Sequence, residues 1–154
     1  TGSPCALLSQ YIPEVIEPGR KILKAMGFYG YACTEFKRDP RDGVYKLMEI
    51  NGRHNLSSLL AVRCGINFPQ IHYNHLIRGE VPSSHDFQTN IYWIDFFRDI
   101  SSAPRFLLNK QHSLFQFIKP YCHSHIDAIF DVDDLKPFRK RIASLIEMVL
   151  QPEH

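Results

Sequence analysis

The 154-residue chain has only four cysteines, Cys5, Cys33, Cys64 and Cys122. They form no CxxC pair and lie far apart, which argues against a zinc knuckle and against a disulfide framework. Free thiols in a reducing cytosol are the expectation, and a cytoplasmic location goes with it. There is no run of about 18 apolar residues, and the start TGSPCALLSQ has no basic stretch followed by an apolar one, so neither a spanning helix nor a signal peptide is expected. An excess of one charge is missing too: 18 basic and 16 acidic residues leave a formal +2. With both signs interspersed, no field dictates a nucleic-acid or membrane partner, and none is expected. Repeats and low-complexity tracts are absent, and so is an initiator Met, so the chain reads as cut from something longer. What remains is 44% hydrophobic and 22% charged, enough for one core and at most two compact units.

Along the chain, EPGRKILKAMG (Glu17 to Gly27) places Ile22, Leu23 and Met26 at helical spacing, with Pro18 suited to the first turn and Gly27 to the stop. GYACTEFK and VYKLMEIN, from Gly30 and Val44, read as strands joined by DPRDG, where Gly43 can take the positive φ that closes a hairpin. Helices are expected over His54 to Gly65 and over FPQIHYNHLIRGE, with Ile71, His75 and Ile77 as burial candidates. IYWIDFF reads as a buried strand or a helix start. The last third is less regular: a helix around Ala103 to Lys110, an apolar run LFQFI, the segment HIDAIFD, and a helix from about Asp134 to Leu150. In that last helix Phe138, Ile142, Leu145 and Val149 make one stripe.

The hairpin concentrates the chemistry. If its loop is Arg41, Asp42 and Gly43, Pro40 faces Val44, and counting back puts Glu35 directly opposite Glu49. Their Cβ atoms would then stand about 4.5–5.5 Å apart. Two like charges that close call for a shared proton or a cation between them, and a divalent ion neutralises both. Asn51 lies two residues beyond Glu49 and adds an amide oxygen to that face. Two carboxylates and an amide oxygen are hard ligands suited to Mg²⁺, which completes its octahedron with waters and substrate phosphates. Arg53, two residues on again, is suited to bidentate contact with a phosphate or acyl phosphate. Lys37, two residues from Glu35, supports a phosphate or stands as a solvated charge. A two- or four-residue loop would instead put the glutamates on opposite faces and leave a solvated surface hairpin.

The stretch GFYGYACTEFKRDPRDGVYKLMEINGRHNLSSLLAVRCGINFP resembles the C-terminal core of ATP-grasp enzymes, in which a strand acid, a hairpin and an E-x-N-x-R strand follow one another. The likeness spans about residues 15 to 80 and is nearest the carboxylate–amine ligase and carbamoyl-phosphate-synthetase-like branches. It implies that Glu35, Glu49 and Asn51 hold two Mg²⁺ ions on ATP, with Mn²⁺ able to substitute, and that Arg53 is catalytic, contacting the transferred phosphate; Lys37, by its place two residues from Glu35, is the candidate for binding the nucleotide. The reaction implied activates a small-molecule carboxylate as an acyl phosphate for attack by an amine or similar nucleophile. EINGR stands where EINPR or EVNPR is commoner. Only about 30 residues precede the motif, so the lysines that clamp adenine and the other phosphates are expected in a remaining N-terminal part of the same enzyme, and the isolated piece is expected to be inactive.

The expected fold is α+β: an antiparallel sheet around the hairpin with helices on one face, then a helical C-terminal tail. Residues 1–85 would be the end of the ATP-grasp core and 86–154 an extension packed on it; a homodimer stays open. The competing reading is a non-catalytic ATP-grasp-like scaffold or interaction domain, which has no need of Glu35, Glu49, Asn51 and Arg53 together. Asn55, Ser57 and Ser58 either offer N–H groups to an anion or cap a helix. His72 with His75, and Cys122, His123 and His125 in CHSH, lack the second ligand pair of a zinc site. Asp133 or Asp134 is expected to cap the last helix.

Overall fold

The computed structural model describes residues 4–83, 86–108 and 113–150. Its elements are β1 (Ala6–Leu8), α1 (Pro13–Ala25), β2 (Cys33–Arg38), β3 (Tyr45–Asn51), α2 (Ser58–Arg63), α3 (Phe68–Arg78), β4 (Tyr92–Ile94), α4 (Phe96–Leu108), α5 (Leu114–Ile118), β5 (His125–Asp127) and α6 (Lys136–Leu150). The class is α+β. The strands form two separate sheets, an antiparallel β2–β3 pair and a three-stranded sheet in the order β1-β4-β5, in which β4 and β5 run parallel. The chain divides into two compact units, Leu8–Ile91 and the remainder.

In the Leu8–Ile91 unit, α1 starts earlier than its apolar stripe suggests. Pro13 occupies the first turn and Pro18 lies inside the helix. Pro18 removes one backbone bond, and the carbonyl it deprives belongs to exposed Glu14, which water can satisfy. The inward face is carried by Val15, Ile16, Gly19, Ile22 and Leu23; Met26 falls beyond the helix end and is exposed. Gly19 is buried because β2 comes so close that a Cβ there would stand 3.0 Å from Thr34 Oγ1. The third helix forms where FPQIHYNHLIRGE leads one to expect it; Asn67, just before that stretch, accepts from the Gln70 N–H at 3.0 Å, and Gly79 closes the helix at φ 67°. Ile77, however, points to solvent.

The other unit centres on β4, whose Trp93 and Ile94 are each 1% exposed. The segment IYWIDFF is both strand and helix start, because Asp95 ends β4 and its carboxylate accepts the Arg98 N–H at 3.2 Å, so α4 begins at Phe96 rather than near Ala103. Lys110 lies outside the described residues. LFQFI is helical, opened by a capping box in which Ser113 and Gln116 satisfy each other's backbone N–H. HIDAIFD supplies β5, paired residue for residue with β4, so this region is not a purely helical tail. Along α6 the stripe is only half-covered: Phe138 and Leu145 are partly buried, Ile142 is exposed, and the Val149 side chain lies outside the described residues. Among the described residues no helix is long and apolar enough to cross a membrane.

Candidate metal and phosphate site

The turn between β2 and β3 is longer than a three-residue loop. The Asp39 N–H bonds the Val44 carbonyl at 2.9 Å and the Gly43 N–H bonds the Asp39 carbonyl at 2.8 Å, so Asp39, not Pro40, faces Val44 across four loop residues. Gly43 takes φ 72°, and Asp42 accepts the Val44 N–H at 2.9 Å. Continued without interruption, this register would set Glu35 opposite Met48. Instead the strands run Arg38↔Tyr45, Lys37↔Lys46 and Phe36↔Leu47, then shift, so that Glu35 faces Glu49, Thr34 faces Ile50 and Cys33 faces Asn51. Met48 is the extra residue of a β-bulge, and that bulge offsets the extra loop residue. The two glutamates end up opposed for a reason different from the one the spacing suggests.

The hairpin's two faces differ sharply. Thr34 and Phe36 turn toward α1, where both stand within 3.6 Å of the position a Gly19 Cβ would take. Glu35, Lys37 and Glu49 lie on the opposite face, exposed, with Asn51 half-buried at the strand end. Asn51 Nδ2 donates to Glu35 Oε1 at 3.1 Å, which leaves its carbonyl oxygen available beside the two carboxylates. Lys37 stands across from Lys46, whose ammonium is held by Asp39 at 2.6 Å and Asp42 at 2.9 Å. The third strand ends at Asn51, so strand alternation does not extend to Arg53, which sits in a bend. Its positive charge nevertheless acts on the Cys33 thiol.

Cys33 was not singled out by sequence, since nothing in its spacing separates it from the other thiols. All four cysteines are free. Burial pushes the Cys33 thiol up, and the Glu35 charge adds to that; Asn55 and Arg53 oppose it. Asn55 Nδ2 reaches Cys33 Sγ at 3.5 Å, while its backbone carbonyl accepts the Ser58 hydroxyl at 2.7 Å. Asn55 and Ser58 thus tie the start of α2 to the strand. Ser57 occupies the N-cap position without a side-chain bond, and the helix it precedes has six residues.

The histidines do not gather into a metal site. Among the described residues no group of three or more His, Cys, Asp or Glu side chains is placed to hold an ion. His123 Nδ1 pairs with the Lys119 carbonyl and His125 Nδ1 with the His123 carbonyl, both at 2.8 Å. His72 stacks near His54, with ring centres 5.9 Å apart, and His54 packs on Tyr31 at 4.2 Å. Asp134 accepts the Lys136 N–H at 3.1 Å at the start of α6. The set that suits a hard cation is therefore Glu35, Glu49 and the Asn51 amide, all oxygen donors, which fits Mg²⁺ and not a soft metal.

Against known proteins, no family model and no solved structure matches the chain. A D-aspartate ligase from Enterococcus faecium (strain Aus0004) is 33% identical over 66 residues, which are 43% of this chain and 16% of that protein. The chain thus spans about one-sixth of the length of that relative. The similarity supports, at a coarse level, the link to ATP-grasp ligases.

Proposed function

We propose that this chain carries the metal- and phosphate-binding end of an ATP-dependent ligase that activates a carboxylate for attack by an amine. The observation that carries this reading is the opposition of Glu35 and Glu49 across the hairpin, with Asn51 bonded to Glu35 through its N–H and its oxygen left over. Two carboxylates held face to face on an exposed surface are a net cost unless a cation comes between them.

In this reading Glu35, Glu49 and the Asn51 oxygen hold Mg²⁺, or Mn²⁺ in its place. The bound ion would neutralise phosphate oxygens and align them. Arg53 contacts the transferred phosphoryl group or acyl phosphate, and Lys37 a nucleotide phosphate. The first acid is fixed by α1, packed against the back of β2, so that the chain presents its ligands without further ordering. Residues 1–85 form the end of the catalytic core and 86–154 an extension, and the nucleotide clamp belongs to the rest of the enzyme. The name of the similar protein makes D-aspartate the first carboxylate to try.

The test is calorimetric titration of Mg²⁺ and a non-hydrolysable ATP analogue into the full-length enzyme and its Glu49→Gln variant. Loss of about 100-fold or more in metal affinity is expected, since even outer-sphere changes cost 10- to 100-fold. Binding that is unchanged in the variant overturns the assignment.

A further inference from the structure

In the same Leu8–Ile91 unit lies a cavity of about 300 Å³ bounded by Tyr29, Tyr31, Phe68, Ile71, His72 and His75. Its described lining contains no Asp, Glu, Lys or Arg. A cation entering it meets aromatic side chains, whose ring faces attract positive charge through their quadrupoles. Tyr31 forms part of the wall and precedes Cys33 by two residues and Glu35 by four. At about 3.3 Å per extended residue, the Tyr31 and Glu35 Cα atoms are at most about 13 Å apart. The cavity wall and the acidic face are thus joined by at most that length of chain.

His75 has a defined protonation pattern. Its Nδ1 lies 2.8 Å from the Glu80 carbonyl oxygen, which can only accept, so in the neutral ring Nδ1 carries the hydrogen and Nε2 keeps a lone pair. That lone pair meets the Tyr29 hydroxyl, which donates to it. Tyr29 is 75% exposed, so a proton collected here has a way out to solvent. A carbonyl that fixes the tautomer, an imidazole and a hydroxyl at a cavity mouth together make a proton-accepting relay.

We infer that this cavity receives the amine nucleophile and that His75, acting through the Tyr29 hydroxyl, is its general base; the inference rests on the ligase reading above. An amine arrives as an ammonium ion with no lone pair to attack with. The ammonium gives a proton to Tyr29 Oη as the tyrosine proton passes to His75 Nε2. The freed lone pair then forms the C–N bond at the acyl carbon. The C–O bond to phosphate breaks with its electron pair leaving on the phosphate, which also takes the second proton shed by the nitrogen.

The experiment uses full-length enzyme with ATP, D-aspartate and one of two nucleophiles: methylamine, which is protonated at neutral pH, or hydroxylamine, which is not. In His75→Gln the methylamide rate should fall about 100-fold and the hydroxamate rate at most about threefold, because hydroxylamine needs no base. Tyr29→Phe should show the same split with a smaller loss. In the wild type, the His75 Nδ1–H signal in a ¹H–¹⁵N spectrum should move when methylammonium chloride is added, whether or not ATP is present. Equal losses with both nucleophiles, no loss with methylamine, or a His75 signal that does not respond would overturn the inference. A wild-type enzyme that makes no hydroxamate overturns the ligase reading instead, and the base assignment falls with it.

Discussion

The polar face of the β2–β3 hairpin carries carboxylates at two levels, and they are treated in opposite ways. At the tip, Asp39 is nearly buried and sits between Arg41 and Lys46, each within 2.6 Å of its Oδ2. Those hydrogen bonds, Arg41's first, hold its carboxyl well below the usual carboxylate range. At the base, Glu35 and Glu49 face each other in the open, with the Asn51 amide bonded to Glu35. One acid is paired with two cations of the chain itself, whereas among the described residues the other two form no ion pair. A protein uses the first arrangement to shape a loop, and the second suits a site that awaits a cation from outside.

The largest effect should come from making the base resemble the tip. Glu49→Lys replaces a like-charge pair by an ion pair and should abolish Mg²⁺ binding, while the metal-free protein gains about 0.2–1 kcal/mol. Calorimetry and thermal melts without metal read the two halves of that outcome, and a variant less stable without metal would count against the comparison. Next, Gly19→Val forces β2 away from α1 and should cost about 1–3 kcal/mol, seen as a lower denaturant midpoint, with weaker Mg²⁺ affinity because both acids ride on that strand pair.

A smaller effect is expected from Lys46→Met. The depressed Asp39 carboxyl contributes stability that is complete above its ordinary value of 3.8 and is lost as the pH falls below that. Removing Lys46 should move the Asp39 titration upward in ¹³C carboxyl spectra and shrink the stability that acid removes below pH 3.8, leaving Mg²⁺ affinity near the wild-type value. The smallest effect should follow deletion of Met48, which is 65% exposed. Without the bulge, Glu49 follows Leu47 directly and still falls opposite Glu35, so cross-strand contacts between the two glutamates should persist in NMR. Their loss would mean that the bulge geometry, and not the pairing alone, sets the site.

Much of this unit was legible in local signals. The helix over FPQIHYNHLIRGE stops at Gly79 because a helix end is a short-range property of a few backbone groups, and the hairpin is announced by DPRDG between alternating runs. A three-residue loop predicts the observed pairing of Glu35 with Glu49 only because the bulge at Met48 offsets the fourth loop residue. A bulge has no signature in a run such as VYKLMEIN, because it depends on how the partner strand and α1 are packed. The relay at His75 was equally hidden: Tyr29 and His75 are 46 residues apart, and neither carries a spacing that names the other.

The sequence alone determined which oxygen donors this chain has, the two strands that carry them, and the helix ends beyond, since composition, alternation and capping are local. Tertiary structure decided which of those groups meet. Loop length and bulge together brought Glu35 to Glu49, the close approach at Gly19 assigned the remaining face to packing, and the fold of α3 back toward Tyr29 gave His75 its hydroxyl partner. Contacts between residues distant along the chain depend on how whole elements pack, and no window of sequence contains that information.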